Sequence, residues 1–597
     1  MMASMRGALF ALAFPCAAFA QDVTFDAGSA DEDLETSLRS ASLVLAIDAD
    51  DDSSAQDYVA AARADYRRLL TALYANGYYA GNVSIILNGK EAATIAPLAA
   101  PAQVRSIAFR IDAGPRFTFG DATVGPLPSG TLLPESFARG EVAKSGAIRD
   151  AVRSGVTAWK QAGHAKAKPA GQQIAAQHDT RKLDVAVTIA QGPQLTFGAL
   201  SVTGNTDVRA ARIKQIAGLP VGAVYDPAEI IKAERRLRET GAFDSVAAVE
   251  ADTIAKGDTL PVTLQVVESK PRRFGFGIEL STIEGLKVST FWLHRNFLGG
   301  AERFRVDGEV SGIGGETGGI DYTLGLNFER PAIYGADTDL FVRAQISRLD
   351  EPEFIVDKAS VEAGVSRKIT DDLMVQTGIG VLTAREQTDA GTRSYTLLTA
   401  PLSATYDRRN DPTNATDGYY IDADITPFYD VTNKSVGARV FVDARAYRSF
   451  GEDAKVTLAA RTQIGSLVGT SIANAPANYL FYSGGGGSVR GQQYNALGVD
   501  SVINGQSVRT GGQSFAGAQL EARYGVTDDI GLVGFYDVGR ISADAGFGGD
   551  SEWHAGAGIG VRYNTGIGPI RLDIGTPASG DNIGQSVQVY IGIGQAF

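Results

Sequence analysis

The last twelve residues of the chain, SVQVYIGIGQAF (residues 586–597), alternate between apolar and polar or small side chains. As a strand, this segment would have an apolar face made of Val587, Val589, Ile591, Ile593 and the terminal Phe597. Such a strand cannot lie unpaired in lipid, because its backbone N–H and C=O groups would lack hydrogen-bonding partners. We therefore expect it to close on an earlier strand, near Phe274-Gly275-Phe276, and so to complete a barrel.

The same two-residue alternation runs through residues 271–597, for example in DGYYIDADITP from Asp417. Strands of about ten residues separated by turns are typical of outer-membrane barrels, whereas most strands of soluble proteins have about five or six residues. At about 20 residues for a strand and its connection, this region holds about 16 strands, an even number as in bacterial barrels. We predict a 16-stranded antiparallel transmembrane β-barrel, preceded by tandem α+β modules.

Composition excludes several classes of function. The chain has 597 residues and a formal net charge of −13, which argues against a nucleic-acid-binding protein. With four histidines and one cysteine, the chain has few of the side chains that most often bind metals. No spacing of Ser, His and Asp indicates catalysis. We expect no metal, no cofactor and no enzymatic activity.

The first twenty residues, MMASMRGALFALAFPCAAFA, are typical of a secretory signal peptide. Arg6 precedes an apolar stretch, and Ala18-Phe19-Ala20 forms a small-residue cleavage site. Cleavage after Ala20 would remove Cys16 and leave a mature chain without cysteine. We therefore expect a secreted chain that needs no disulfide bond.

An internal repeat precedes the predicted barrel. Pro115, Pro193 and Pro271 follow one another at equal spacings of 78 residues, which indicates tandem small domains. Each unit has an apolar helical face and then an alternating strand, and we expect the same elements in the same order in each. The helices are predicted within residues 59–73, 148–159 and 230–237, each followed by a glycine, and the strands within residues 107–111, 185–189 and 262–266.

These patterns predict five segments along the chain. They are a signal peptide (1–20), three modules (21–113, 114–192 and 193–270) and the barrel (271–597). The edge strands of the modules could accept an extended client chain by strand addition. A role of the modules as rigid spacers is an equally physical alternative.

Three motifs in the barrel carry a family resemblance. They are Val489-Arg490-Gly491, Phe535-x-Asp537-x-Gly539 and Gly556-x-Gly558-x-Gly560-x-Arg562. With the segment YDRRNDPTNATDGYY from Tyr406, they resemble the BamA/TamA superfamily of outer-membrane assembly factors, and the modules resemble its POTRA domains. The resemblance implies five modules for BamA and two for two-partner secretion transporters, so three modules favour a TamA-like member.

Alternation places Glu521 and Asp537 on the inner face of the barrel. A row of glycines (Gly539, Gly556, Gly558 and Gly560) on the same face would let a loop backbone come close. We expect the loop that carries Arg490 to fold into the barrel, with Asp537 as the first carboxylate partner and Glu521 as the second. The alternative is an exposed Arg490 in a turn and a solvated Asp537.

The resemblance implies a function in the bacterial outer membrane, with the modules in the periplasm. Client β-barrel or autotransporter-type proteins would enter the lipid bilayer through a lateral seam between the first and last strands. The expected seam residues are Phe274, Phe276, Ile278, Val589, Ile591, Ile593 and Phe597. A TamB-like inner-membrane-anchored partner is implied by the family alone. A BamA-like general assembly factor, a dedicated secretion pore and a passive channel remain alternatives.

Overall fold

The computed structural model describes residues 22–28, 30–47, 53–96, 99–281, 285–315, 318–389, 391–451, 455–503, 505–566, 568–580 and 583–597. The expected signal peptide lies outside these residues. Three small sheets precede a closed barrel in the chain. No helix among the described residues is long and apolar enough to span a membrane.

The first module packs three helices against a four-stranded sheet. Its elements are β1 (Asp22–Asp26), α1 (Glu32–Ala41), α2 (Leu43–Ile47), α3 (Ala55–Ala75), β2 (Asn82–Leu87), β3 (Lys90–Glu91) and β4 (Ser106–Asp112). The sheet order is β1-β4-β2-β3, with β1 parallel to β4. Helix α3 begins with a capping box between Ser54 and Asp57. The apolar faces predicted for α3 and β4 meet in the core, where Leu69 and Phe109 are fully buried.

The second module has one α-helix and three strands. Its elements are β5 (Thr118–Gly125), α4 (Ser145–Gln161), β6 (Lys168–Gln177) and β7 (Lys182–Ala190). The sheet order is β5-β7-β6, with β5 parallel to β7. Val185 and Ile189 of β7 are buried with Ile148 of α4.

The third module has two helices and three strands. Its elements are β8 (Thr196–Thr203), α5 (Ala210–Ala217), α6 (Pro227–Glu239), β9 (Phe243–Glu250) and β10 (Thr259–Glu268). The sheet order is β8-β10-β9. The side chain of Asp226 accepts the N–H of Ala228 at the start of α6, and Gly241 takes a left-handed conformation (φ 68°) after its end.

The three modules share a plan but not an identical set of elements. In each, one strand, a helical segment and two further long strands form a sheet in which the last strand is central, and the first module adds the two-residue strand β3. The number of α-helices in the described residues is three, one and two. The expectation of the same elements in every unit was therefore wrong for the helices, because only the strands and one packed helix are needed to bury the apolar face of each sheet.

The second half of the chain is a closed antiparallel barrel. Its strands up to the longest loop are β11 (Arg272–Ser281), β12 (Gly285–His294), β13 (Arg303–Ile313), β14 (Asp321–Arg330), β15 (Thr338–Glu351), β16 (Phe354–Lys368), β17 (Leu373–Thr388), β18 (Gly391–Thr399), β19 (Leu402–Asp407), β20 (Gly418–Asp430), β21 (Ser435–Phe450) and β22 (Val456–Val468). A hairpin of β23 (Val499–Ile503) and β24 (Gln506–Thr510) lies within that loop. The remaining barrel strands are β25 (Ser514–Gly525), β26 (Ile530–Ser542), β27 (Ser551–Tyr563), β28 (Ile570–Pro577) and β29 (Gln588–Ile593).

The barrel has 16 strands because β18 and β19 are two halves of one. Both halves lie between the same neighbours, β17 and β20. The interruption falls at Ala400-Pro401, and a proline cannot donate a backbone hydrogen bond to a neighbouring strand. The predicted fold class, modules followed by a 16-stranded antiparallel barrel, is confirmed.

The last strand differs from the prediction in two ways. Strand β29 ends at Ile593, Gly594 has a φ of 92°, and Phe597 is buried rather than on the outer face. The left-handed glycine breaks the alternation, so that a continuous apolar face through Phe597 was wrong. The closure is also not near Phe274-Gly275-Phe276, because within the described residues β29 pairs with β11 at Leu280 and Ser281 and not at these three.

Candidate functional site

A long loop between β22 and β25 (residues 469–513), here named the inner loop, enters the barrel. Leu480, Phe481 and Leu497 of this loop are buried in an apolar cluster with inward-facing residues of the strands, among them Phe515 and Ile541. Phe481 is also paired with Gly512, because the backbone N–H of each residue donates to the C=O of the other. The inner loop therefore fills part of the lumen with a packed core.

Arg490 lies at the innermost part of this loop, and its side chain is 1% exposed. Its Nε and Nη2 donate to the two oxygens of Asp537 at 2.8 and 2.9 Å. Its backbone N–H also donates to Asp537, at 3.0 Å, while Nη1 donates to Glu521 at 2.6 Å. The guanidinium lies over the ring of Phe535, with Cζ 3.8 Å from the ring centroid. The alternative of an exposed Arg490 in a turn is contradicted.

Both expected carboxylates thus contact Arg490, and a third one joins them. Asp573 of β28 lies 3.3 Å from Nη1 of Arg490 and is fully buried. Asp573 was not among the predicted partners of Arg490. The two-residue alternation could have predicted its inward position. Leu572 and Ile574 face outward with 39% and 42% exposure, so Asp573 between them faces the lumen.

Two further arginines balance the charge of the three carboxylates. Arg523 donates from Nε to Glu521 at 2.8 Å, and Arg562 donates to Asp573. Arg562, the arginine of the third motif, therefore reaches Arg490 through a carboxylate that both contact, Asp573. Three guanidinium groups and three carboxylates form this buried network, which we name the lumen cluster: Arg490, Arg523, Arg562, Glu521, Asp537 and Asp573. Its equal numbers of opposite charges offset the desolvation of each.

Glycines make the close approach of the inner loop possible. A Cβ at Gly556 would overlap the carbonyl oxygen of Arg490, and one at Gly539 would lie 2.9 Å from a methyl group of Val489. Gly558 and Gly560 leave room for the ring of Phe535 and the carboxylate of Asp573. The neighbouring Gly491 has a φ of 89°, which favours glycine. The expected row of glycines therefore borders the inner loop backbone and the lumen cluster.

The segment after β29 turns into the barrel. Gln595 accepts a hydrogen bond from Arg562 at 2.8 Å and donates one to Asn414 at 2.9 Å. The backbone oxygen of Phe597 accepts from Arg523 at 3.1 Å. The ring of Phe597 packs in a small buried cluster with Ala415 and residues of β21 and β22. Phe597 was expected in the seam, but it contacts the lumen cluster and the segment that begins at Tyr406.

The joint between the first and last strands is short. Strand β11 pairs with β12 along its whole length, from Arg272 to Ser281, whereas in the part of the chain that the structure describes it pairs with β29 at two positions, Leu280–Ile591 and Ser281–Tyr590. On its other side, β29 pairs with β28 from Gln588 to Ile593. Residues 272–279 of β11 therefore have no ladder partner on this side among the described residues.

Most of the expected seam residues border this joint. Phe274, Phe276 and Ile278 point away from the lumen, with exposures of 66%, 83% and 71%. Ile591 and Ile593 are also exposed on the outer face, at 40% and 60%, and Val589 is half-buried. The structure thus brings Ile591 to the joint beside Leu280, whereas the three residues of β11 lie along its unpaired part.

No group of three or more His, Cys, Asp and Glu side chains in the described ranges is arranged to hold a metal ion. The lumen cluster has a guanidinium on each of its carboxylates. Its chemistry is therefore that of a structural anchor for the inner loop.

Comparisons with known protein families match the barrel and the third module. The Omp85 superfamily domain matches residues 296–597, half of the chain, and the POTRA family, described as surface antigen variable number repeat, matches residues 195–269. Among solved structures, BamA from Haemophilus ducreyi lacking POTRA domains 1–3 is similar, with 13% identity, a TM-score of 0.63, and coverage of 80% of this chain and 100% of that one. CdiB from Acinetobacter baumannii has 12% identity and a TM-score of 0.51, over 80% of this chain and 89% of that one. At such identities the likeness concerns the fold.

Proposed function

This chain belongs to the Omp85 superfamily, and on that premise we propose that it inserts or translocates β-barrel and autotransporter-type proteins through the joint between β11 and β29. Its barrel lies in the outer membrane, and its N-terminal POTRA region lies in the periplasm. The proposed activity makes and breaks no covalent bond. It exchanges backbone hydrogen bonds between strands.

The observation that carries the proposal is the two-position ladder between Leu280–Ser281 and Tyr590–Ile591. Opening this joint breaks few interstrand hydrogen bonds, whereas separating β15 from β16 would break a ladder from Thr338 to Glu351. The unpaired edge of β11 offers N–H and C=O groups to an incoming strand. Such pairing satisfies client backbone groups that would otherwise be unsatisfied in lipid.

The inner loop disfavours a straight path through the lumen. A passive channel or a dedicated secretion pore needs an open axial route, and the inner loop fills part of the lumen with a packed apolar cluster. Withdrawing it would also expose the lumen cluster, in which Arg490 is 1% exposed. Breaking such a buried charge network by separating its partners is costly. A lateral path leaves the inner loop in place.

We propose that the protein is a TamA-like member of the superfamily. The three sheets before the barrel support this assignment, because the family resemblance implies five modules for BamA. A TamB-like inner-membrane-anchored partner would then bind the periplasmic modules. The alternative is a BamA-like general assembly factor. Crosslinking from the first module, followed by mass identification of the captured protein, separates the two.

The experiment that tests the lateral path is a disulfide across the joint. Leu280 and Ile591 are directly paired and both face outward, so L280C/I591C sets two cysteines opposite each other across the joint. The matched control is L324C/I346C, an outward pair on the fully laddered β14 and β15. We expect the oxidised joint to abolish client assembly and reduction to restore it, while the oxidised control stays active. Equal activity of both oxidised variants would overturn the lateral path.

A further inference from the structure

Arg571 of β28 reaches across the last strand to the first one. Its Nη2 lies 3.5 Å from Oε1 of Glu279 on β11, although β29 runs between the two strands. In the ladder of β28 and β29, Arg571 is paired with Gly592. Leu280 of β11 is paired with Ile591 of β29. If this pairing is extended by one residue, Glu279 lies opposite the same glycine. Arg571, Gly592 and Glu279 therefore form one row across three strands.

Gly592 lets the guanidinium lie over β29. A Cβ at this position would be 3.2 Å from Nε of Arg571 and 3.5 Å from its Nη2. A side chain at this position would therefore press on the guanidinium and require it to shift by a few tenths of an ångström. The glycine thus has a role beyond reducing side-chain contact at the joint.

The row lies where the backbone ladder stops. Leu280 and Ser281 are the paired residues of β11, and Glu279 is the next residue toward the unpaired part. Nη1 of Arg571 also donates to the backbone oxygen of Gln595, at 3.4 Å, in the segment that follows β29. One guanidinium therefore contacts both segments that would separate from each other if the joint opened.

Each partner keeps an opposite charge nearby when the two part. Lys287 of β12 is paired with Glu279 in the ladder, and its ammonium group lies 3.2 Å from Glu309. Asp573 lies two residues from Arg571 on the same face of β28. Both of these groups already have partners, but the Glu279 side chain is 49% exposed, so water can solvate its carboxylate when it leaves Arg571 and the contact resists opening only weakly.

We propose that the ion pair between Glu279 and Arg571 is a latch that sets how often the joint between β11 and β29 opens. The inference rests on the proposed function for its biological meaning, but not for its physical test. Arg571 and Glu279 are positioning residues in this account. They hold the first strand in place and touch no client.

The test is amide hydrogen exchange of β11 and β29 in the full chain, reconstituted in lipid nanodiscs without a client. Glu279 is half-exposed to the lumen, so E279Q preserves size and removes only the charge. We expect E279Q and R571Q each to raise the exchange of the amides at the joint, those of residues 280, 281, 590 and 591, by roughly two- to fivefold, the range for an ion pair in water. The charge swap E279K/R571E should bring the exchange back toward the original rate.

The matched control is R343Q. Arg343 and Glu362 form an inward cross-strand pair at 3.6 Å, on the fully laddered β15 and β16. R343Q should leave the exchange at the joint unchanged. The latch is overturned if E279Q and R571Q exchange like R343Q, or if the charge swap exchanges as fast as the single variants. A rise in exchange without any change in client assembly would support the latch but count against the proposed function. A failure of the latch can therefore be distinguished from a failure of the proposed function.

Discussion

Arg490 and Asp537 are joined by two parallel hydrogen bonds, from Nε to Oδ2 at 2.8 Å and from Nη2 to Oδ1 at 2.9 Å, in the interior of the barrel. This geometry requires a planar guanidinium, since a lysine ammonium group cannot donate in two parallel directions. The pair connects the inner loop to β26. Because Asp537 also accepts the backbone N–H of Arg490, it fixes both the side chain and the loop backbone.

Replacing Arg490 should release the inner loop. R490A leaves Glu521, Asp537 and Asp573 in a buried site with one guanidinium fewer, and breaking a buried pair in this way costs about 3–5 kcal/mol. We expect protease cleavage within residues 469–513 at concentrations that leave the original protein intact. R490K should be intermediate, because it restores the charge but not the two parallel bonds.

The control for this prediction is R509A. Arg509 lies in the same loop and pairs with Glu552 at 2.7 Å, but both side chains are more than one-third exposed. Such pairs contribute about 0–1 kcal/mol, so cleavage should hardly change. Equal protection of the inner loop in R490A and the original protein would contradict an anchoring role for the lumen cluster.

Gly556 should tolerate no side chain. In G556A the new methyl group would overlap the carbonyl oxygen of Arg490, so residues 488–492 must move away from β27. G534A on the neighbouring β26 is the control, because nothing lies within 4 Å of a Cβ there. Hydrogen exchange should increase around Arg490 in G556A and stay unchanged in G534A. The same exchange in both variants would show that the glycine row does not position the inner loop.

The third module should lose local stability in acid. Partial burial of the Glu268 carboxylate opposes its ionisation, but the N–H groups of Val208, Thr206 and Asp207 donate to it and lower its pKa below the ordinary 4.5. A lowered pKa means that the ionised group stabilises the fold. This contribution is complete above the unfolded value near 4.5 and is lost as the pH falls through the lower folded value.

We therefore expect the protection of amides 206–208, corrected for intrinsic exchange, to fall as the pH is lowered from about 6 to about 3. E268Q removes the titration, so its protection should be lower at neutral pH and nearly independent of pH. An E268Q variant that keeps the original acid dependence would assign the effect to another group.

The period of two in the sequence predicted which barrel side chains face the lumen. Leu520 and Tyr536 are 57% and 47% exposed on the outside, whereas Glu521 and Asp537, the next residues in their strands, are buried. These features are local, because the pleat of a strand fixes them residue by residue. The number of strands followed instead from the length of residues 271–597 at about 20 residues for a strand and its connection, which gives about 16.

The position of the joint and the path of the last residues could not be predicted in this way. Closure at Leu280 rather than Phe274 depends on the stagger accumulated around all strands, which no single strand encodes. The turn of Phe597 into the barrel follows from the left-handed Gly594, a conformation that a strand pattern does not indicate. Asp573 joined the lumen cluster because the depth of the inner loop depends on contacts between distant segments.

The most direct test of the account is photocrosslinking from the unpaired edge of β11 during client assembly. A photoreactive phenylalanine analogue at Phe276, which is 83% exposed beside the joint, should capture an outer-membrane client in transit. The same analogue at Tyr322, 50% exposed on the fully paired β14, should not. Client adducts at position 276 and none at position 322 are the predicted result. Equal capture at both positions, or none at position 276 during productive assembly, would contradict a path through the joint.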